Sequence, residues 1–382
     1  MGELIKNRRA LLKSEQTVTP PVGDSYYGVD WFYSNSSPLL TRIGAAELFA
    51  DPQPATSLSG TGSSPFDSIM PWAGMKRYNI INGAVSYSED DAGFDPVAYD
   101  TMVYIPEFYY RAEKDTTEQR WTWAISPTAQ DGFSKHPGSG RYIGRYHSSG
   151  SSSGVFSQSG VTPLVRTSRS NFRTYSHNKG ANWWMLDIAT WSALQLLYLV
   201  EFADFDSQSA LGTGYAGVTS AVAAVGDTDA AAYHTLKISS GHNQYRWVED
   251  PFSNCFDYVD GFLAHAGASY IGTDNSNFAD STTDLIPTGI TLPYGEYITG
   301  FGYSETCPWA FIPDSASGGS AVTFVTDYVA SATAYDDTRV YAVGGYYSSN
   351  NGERYGLFYF NAVYQYNYAI VSYLGSRLIF IP

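Results

Sequence analysis

A chain of 382 residues is long enough for one large domain or two ordinary ones, so a sizeable core can be buried. Its formal net charge of −15 argues against nucleic acid and against an anionic membrane surface as partners. Charged residues make up 15% and aromatics 16%, with 32 Tyr; this palette suits a binding surface built on rigid amphipathic rings, and equally a tyrosine-rich β-protein with no special surface.

Along the chain, residues 4–13 (LIKNRRALLK) place Leu4/Ile5 and Leu11/Leu12 seven positions apart, one heptad step. A single heptad does not sustain a coiled coil, so this is a frayed arm or an arm that docks on a carrier or on sister chains. Pro20 and Pro21 mark a linker after it. The start lacks the apolar core of a secretory signal, and Lys6 stands where myristoylation wants Ser or Thr. The most apolar run, 188–200, is too short to span a bilayer. Cytosolic synthesis without membrane insertion is the expectation.

From Tyr26 short aromatic runs at 26–33, 102–112 and 120–125 alternate with Gly/Ser/Pro punctuation, which predicts an irregular β-rich region. Residues 57–65 and 147–154 have the composition of flexible loops. The stretch 183–203 lacks Gly and Pro and is apolar on nearly every side, predicting a buried helix capped by Asn182. Its aromatics Trp183, Trp184, Trp191, Tyr198 and Phe202 are core packing. After a loose segment to about 236, residues 245–262 suggest a buried strand pair with a tight turn, and 340–382 reads as strands joined by polar loops. Cys255 and Cys307 form one bridge or remain two buried thiols, and the second reading is preferred.

Recognisable catalytic motifs are missing: no nucleophile elbow, zinc-protease helix, phosphate-binding loop or dinucleotide fingerprint occurs. The six histidines are scattered, and His147 and His177 suggest structural hydrogen bonding. Asp257/Asp260 and Asp204/Asp206 are carboxylate pairs of the type that glycoside hydrolysis needs at a defined separation. The cluster 274–281 (DNSNFADS) lacks an EF-hand pattern and reads as an Asx-rich loop.

The tail carries the most specific signal: Gly344-Gly345-Tyr346, then Gly356-Leu357-Phe358, then Gly375-Ser376-Arg377-Leu378. Together with 64–75, 103–112, 169–184, 196–208 and 246–261, it resembles the variable proteins of diversity-generating retroelements, of the phage structural type. The resemblance covers nearly everything after residue 26. It implies an α+β protein of the C-type lectin fold, with large irregular β-rich insertions and one or two buried helices. The implied organisation is an arm and linker at 1–25, a β-rich region at 26–100 and a lectin-like domain at 101–382 whose variable region is 341–382.

The implied function is an adhesin at a phage tail tip, or alternatively at a bacterial surface, that recognises a host-surface protein or glycan. A purely structural tail or baseplate role is the rival. A homotrimer is expected, joined to other tail proteins through the N-terminal arm. Adenine-directed mutation of Asn codons reaches Tyr, Ser, Asp and Gly but not Lys, Glu or Gln. Residues 341–382 contain nine Tyr, four Asn and no Lys, whereas Glu353 and Gln365 fall outside that set. The expected variable contacts are Tyr346, Tyr347, Ser348, Asn350, Asn351, Tyr355, Tyr359, Asn361, Tyr364, Tyr366, Asn367, Tyr368 and Tyr373. Leu357, Phe358 and Arg377 are expected as framework, with Arg377 tying strands together.

The superfamily so implied also holds formylglycine-generating enzymes, iron-dependent sulfoxide synthases and calcium-dependent lectins. Their reactive C-terminal cysteines, H-x3-H-x-E iron set and Glu-Pro-Asn or Trp-Asn-Asp elements are all missing from this sequence. Neither catalysis, a cofactor nor a metal is expected.

Overall fold

The computed structural model describes residues 25–218, 220–331, 337–347, 352–368 and 371–382, so the arm expected at 4–13 lies outside the described residues. The protein is β-rich with few helices, and it has several antiparallel sheets and one curled half-barrel sheet.

Alternation builds the first sheet. Tyr27, Val29 and Trp31 of Tyr27–Phe32 lie opposite Ile125, Trp123 and Trp121 of Arg120–Ser126. Tyr110 and Ala112 of Tyr109–Asp115 lie opposite Ile125 and Trp123 in turn. The two-residue period puts all of these on one face, and all are buried. Trp121 and Trp123 stack at 4.9 Å between ring centroids, and Trp31 meets Phe205 edge-on at 4.9 Å. Thr41–Gly44 and Ser134–Lys135 complete the five strands at the two edges.

The long helix against this face spans Ile188–Phe202, and every residue of it is buried. The sequence places its start at 183 with Asn182 as cap; instead, Asp187 is the cap, its carboxylate accepting from the Thr190 amide at 2.7 Å. Trp183–Met185 is a strand, antiparallel to Leu378–Phe380, with the Trp183 and Phe380 rings 5.0 Å apart. Aromatic pairing with the end of the chain outcompetes another helical turn there, and periodicity alone cannot see so distant a partner. Glu201, the helix's one charged residue, is fully partnered. It accepts from Arg246 at 2.5 and 3.0 Å, from the Tyr245 hydroxyl at 3.0 Å and from Ser64 Oγ at 2.7 Å.

A six-stranded sheet inserts Leu378–Phe380 between Trp183–Met185 and Arg141–Gly144, and continues through Asp100–Ile105, Arg77–Ile81 and Ala84–Ser88. The eight-stranded sheet runs Ile286–Thr291, Ala268–Ile271, Phe256–His265, Thr338–Val343, Phe360–Gln365, Tyr328–Ser331, Glu296–Tyr297, with Leu374–Gly375 parallel beside the start of Phe256–His265. Leu186 joins the two sheets, donating to Arg377 O and accepting from the Asp260 amide, both at 2.8 Å. Strands from either side of residue 100 share two sheets, so the expected boundary between 26–100 and 101–382 falls inside them.

The strand pair expected within 245–262 is the hairpin Gln244–Tyr245/Val248–Glu249. Its two-residue turn puts Arg246 and Trp247 at positive φ (45° and 70°), as the twist of a tight hairpin requires. Among the described residues no helix is long and apolar enough to cross a membrane.

Candidate ligand-binding surface

The tail is held from behind by side chains of other segments. Arg377 is fully buried and forks in four directions. Its Nε donates to Asp257 Oδ2 (2.7 Å), Nη1 to Arg145 O (3.0 Å) and Nη2 to Asp250 O (2.6 Å), with His147 Nε2 at 3.1 Å. His147 Nδ1 lies 2.9 Å from the other Asp257 oxygen. Burial opposes the Asp257 charge, but His147 and Arg377 outweigh it and hold the carboxyl below its usual range.

Leu357 and Phe358 are likewise clamped. Gln195 of the long helix donates to Leu357 O at 2.9 Å, and the Leu357 amide donates to Ser207 Oγ at 2.9 Å. The Phe358 amide donates to Asp327 Oδ2 at 2.8 Å. Burial, with Asp206 adding repulsion, holds the Asp327 carboxyl well above the usual carboxylate range. Gly356 is needed for this approach, since a Cβ there would sit 2.3 Å from Asp327 Oδ1. Gly345 is equally constrained, its Cβ position lying 2.6 Å from both Phe252 O and Tyr355 Cβ.

On this framework tyrosines from separate parts of the tail converge around Phe256, itself buried. Tyr359 stacks on it at 5.3 Å, Tyr355 meets it edge-on at 5.4 Å, and Tyr346 and Tyr373 approach at 5.1 and 6.1 Å. Tyr346 and Tyr373 stack on one another at 4.3 Å. Beyond them Tyr364 stacks on Tyr368 at 5.6 Å, and Tyr258 donates to Tyr368 O at 2.8 Å. Burial together with a hydrogen bond to Tyr373 pushes the Tyr364 phenol up, and burial does the same to Tyr359. Both phenols are therefore neutral at physiological pH.

The expectation of freely displayed side chains does not hold throughout. Tyr347, Tyr355, Tyr359 and Asn361 are only 7%, 6%, 5% and 2% exposed. Each has an internal reason: the Tyr347 hydroxyl pairs with Ser372 Oγ at 2.8 Å, Tyr355 and Tyr359 pack on Phe256, and Asn361 is spanned by the Val363 amide and the Tyr359 hydroxyl. Tyr366 and Asn367 are exposed, while Tyr346, Tyr364, Tyr368 and Tyr373 are half-buried. Ser348, Asn350 and Asn351 lie outside the described residues. Sequence reasoning missed Phe256 as the hub, and also the neighbours Tyr297 and Tyr328, over which Arg354 lies at 4.5 Å from the Tyr328 ring. Nothing local distinguishes these from other aromatics of a tyrosine-rich chain.

The remaining titratable groups are engaged elsewhere. Arg173 forks onto Asp260 at 2.6 and 2.7 Å, while Asp257 belongs to Arg377, so the two carboxylates serve different arginines. Asp206 caps Ser207–Leu211, and burial raises Asp204 to about 7. In the loop 274–281, Asp280 receives Arg169 at 2.5 Å and Arg173 at 2.8 Å, and Asp274 caps the Ser276 amide at 2.9 Å. His177 packs edge-on against Trp184 at 4.4 Å.

His242, Glu249 and Asp250 cluster with ligand atoms within 4.8 Å of one another, a grouping the scattered histidines do not announce. His242 Nδ1 faces Asp250 at 2.5 Å and Nε2 faces Ala224 O at 2.8 Å, so both nitrogens carry protons. Burial opposes that charge, but Asp250, Glu249 and Asp227 hold the imidazolium up at about 10. This is an internal ion pair and a poor fit to a cation.

No protein-family model matches the chain, and no curated protein matches it.

Proposed function

We propose that the chain is a receptor-binding protein of the C-type lectin fold, of the kind diversified by retroelements, which meets a host-surface protein or glycan through its C-terminal tail at a phage tail tip. The observation that carries the reading is the placement of amphipathic tyrosines on a framework fastened independently of them by Arg377, Asp327 and Gln195. Contact side chains can change on such a support without moving the backbone. The contact set contracts to Tyr366 and Asn367, with Tyr346, Tyr364, Tyr368 and Tyr373 contributing edges and hydroxyls. Buried Tyr347, Tyr355, Tyr359 and Asn361 act as support. Each site alone binds weakly, and a homotrimer raises the avidity.

A second reading, a structural tail or baseplate component, draws on the same half-buried rings, which suit a face between subunits. The triple variant Tyr366→Ser, Asn367→Ser, Tyr368→Ser separates the two. For the adhesin, the trimer by light scattering and the thermal midpoint stay near those of the parent, and adsorption to host cells drops at least tenfold. Lost assembly with an intact fold favours the structural reading. Unchanged adsorption removes the tail as the receptor surface. The neighbouring DNA gives an independent check: the retroelement reading requires a copy of the 341–382 coding stretch that differs only at adenines and lies beside a reverse transcriptase.

A further inference from the structure

A cavity of about 230 Å³ opens between the start of the long helix and the loop 272–278, and it shares no residue with the tyrosine cluster. Tyr110, Trp309 and Phe278 form its walls. Tyr110 and Trp309 are only 7% and 6% exposed, yet the Tyr110 hydroxyl and the Trp309 indole N–H have no hydrogen-bond partner among the described residues. His136 packs edge-on against both rings from behind, at 5.2 and 5.8 Å, which fixes their tilt. Arg141 and Asn275 line the cavity and are held by one buried carboxylate, Asp187, at 2.8 and 2.6 Å. Asn275 donates through Nδ2, and its side-chain carbonyl oxygen has no hydrogen-bond partner among the described residues.

Charge narrows the ligand. The two cations at the cavity are each paired with a carboxylate, Lys135 with Glu107 and Arg141 with Asp187, so the lining offers no excess positive charge to favour a phosphate or a carboxylate over a neutral ligand. Aromatic walls, an unpaired N–H, an unpaired carbonyl and a hydroxyl together suit a molecule with an apolar face and a rim of groups that both donate and accept. The volume lies just below the roughly 300 Å³ at which pockets for drug-sized ligands begin. We infer that this cavity binds a single neutral sugar ring, a hexopyranose or its N-acetylated form, with the ring lying on the aromatic walls and its hydroxyls on Trp309, Tyr110 and Asn275.

The test uses the full chain and saturation-transfer NMR with glucose, galactose, mannose and N-acetylglucosamine, and with glucuronic acid and inorganic phosphate as charged comparators. At least one neutral sugar gives a saturable signal with Kd on the order of 1 mM, as a ligand this small allows. Thr273→Trp, at an exposed lining position, fills the mouth and abolishes that signal while the circular dichroism stays that of the parent. Trp309→Phe keeps the wall, removes the N–H and weakens binding about fivefold. No saturable neutral sugar, binding that survives Thr273→Trp with full affinity, or binding of only the charged comparators overturns the inference.

Discussion

Arg377 shows how much a single side chain can organise. Its guanidinium joins the C-terminal strand to Asp257, to the Arg145 and Asp250 carbonyls and to His147, all without access to water. Removing one partner of a buried ion pair strands the other, so Arg377→Ala is expected to cost about 3–5 kcal/mol in urea unfolding. Arg377→Lys recovers little of it, because an ammonium cannot reproduce the fork. His242 gives a pH signature. Its folded pKa, about 10, lies above the unfolded value of about 6.5. Its contribution is therefore fully present below about pH 6.5 and is lost as pH rises through 10. The thermal midpoint lost on His242→Gln is expected to be largest near pH 6 and to shrink towards pH 10.

Among elements, the Gly356–Phe358 segment is the one on which the tail surface rests. Asp327 supplies the acceptor for the Phe358 amide, and Asp327→Ala leaves that donor unpaired, at a cost of about 1–3 kcal/mol. Asp327→Asn has a different outcome. A carboxyl whose folded pKa is raised opposes folding as pH climbs above its unfolded value of about 3.9. The Asn variant is accordingly expected to match the parent near pH 4 and to exceed it in stability at pH 7, as read by unfolding at both pH values. The long helix carries the complementary lesson. Its existence and burial are legible because fifteen consecutive residues lack breakers and face no water, but its start is not, because Trp183–Met185 answers to Leu378–Phe380.

At the scale of the whole molecule, the two thiols report on global opening. Cys255 and Cys307 are free and buried. Burial pushes Cys255 well above its ordinary range and Cys307 up to about 11. A thiol-specific reagent at pH 8 is expected to leave both unmodified in the native protein and to label both in denaturant. Fast labelling of either in native buffer would show that its region opens locally.

The amino-acid order by itself determined the β-rich character, the buried helix and a tight turn somewhere within 245–262, which follow from periodicity and composition, while the resemblance carried by the tail motifs put forward Arg377, Leu357 and Phe358 as candidates for framework. It also marked out the tyrosine-rich tail. Only the tertiary structure decided which of those tyrosines face water. Tyr359 and Tyr366 are chemically the same residue seven positions apart, and one is sealed against Phe256 while the other stands 40% exposed. Exposure depends on what the folded chain brings opposite each ring, and the strand that brings Phe256 there begins a hundred residues earlier in the chain.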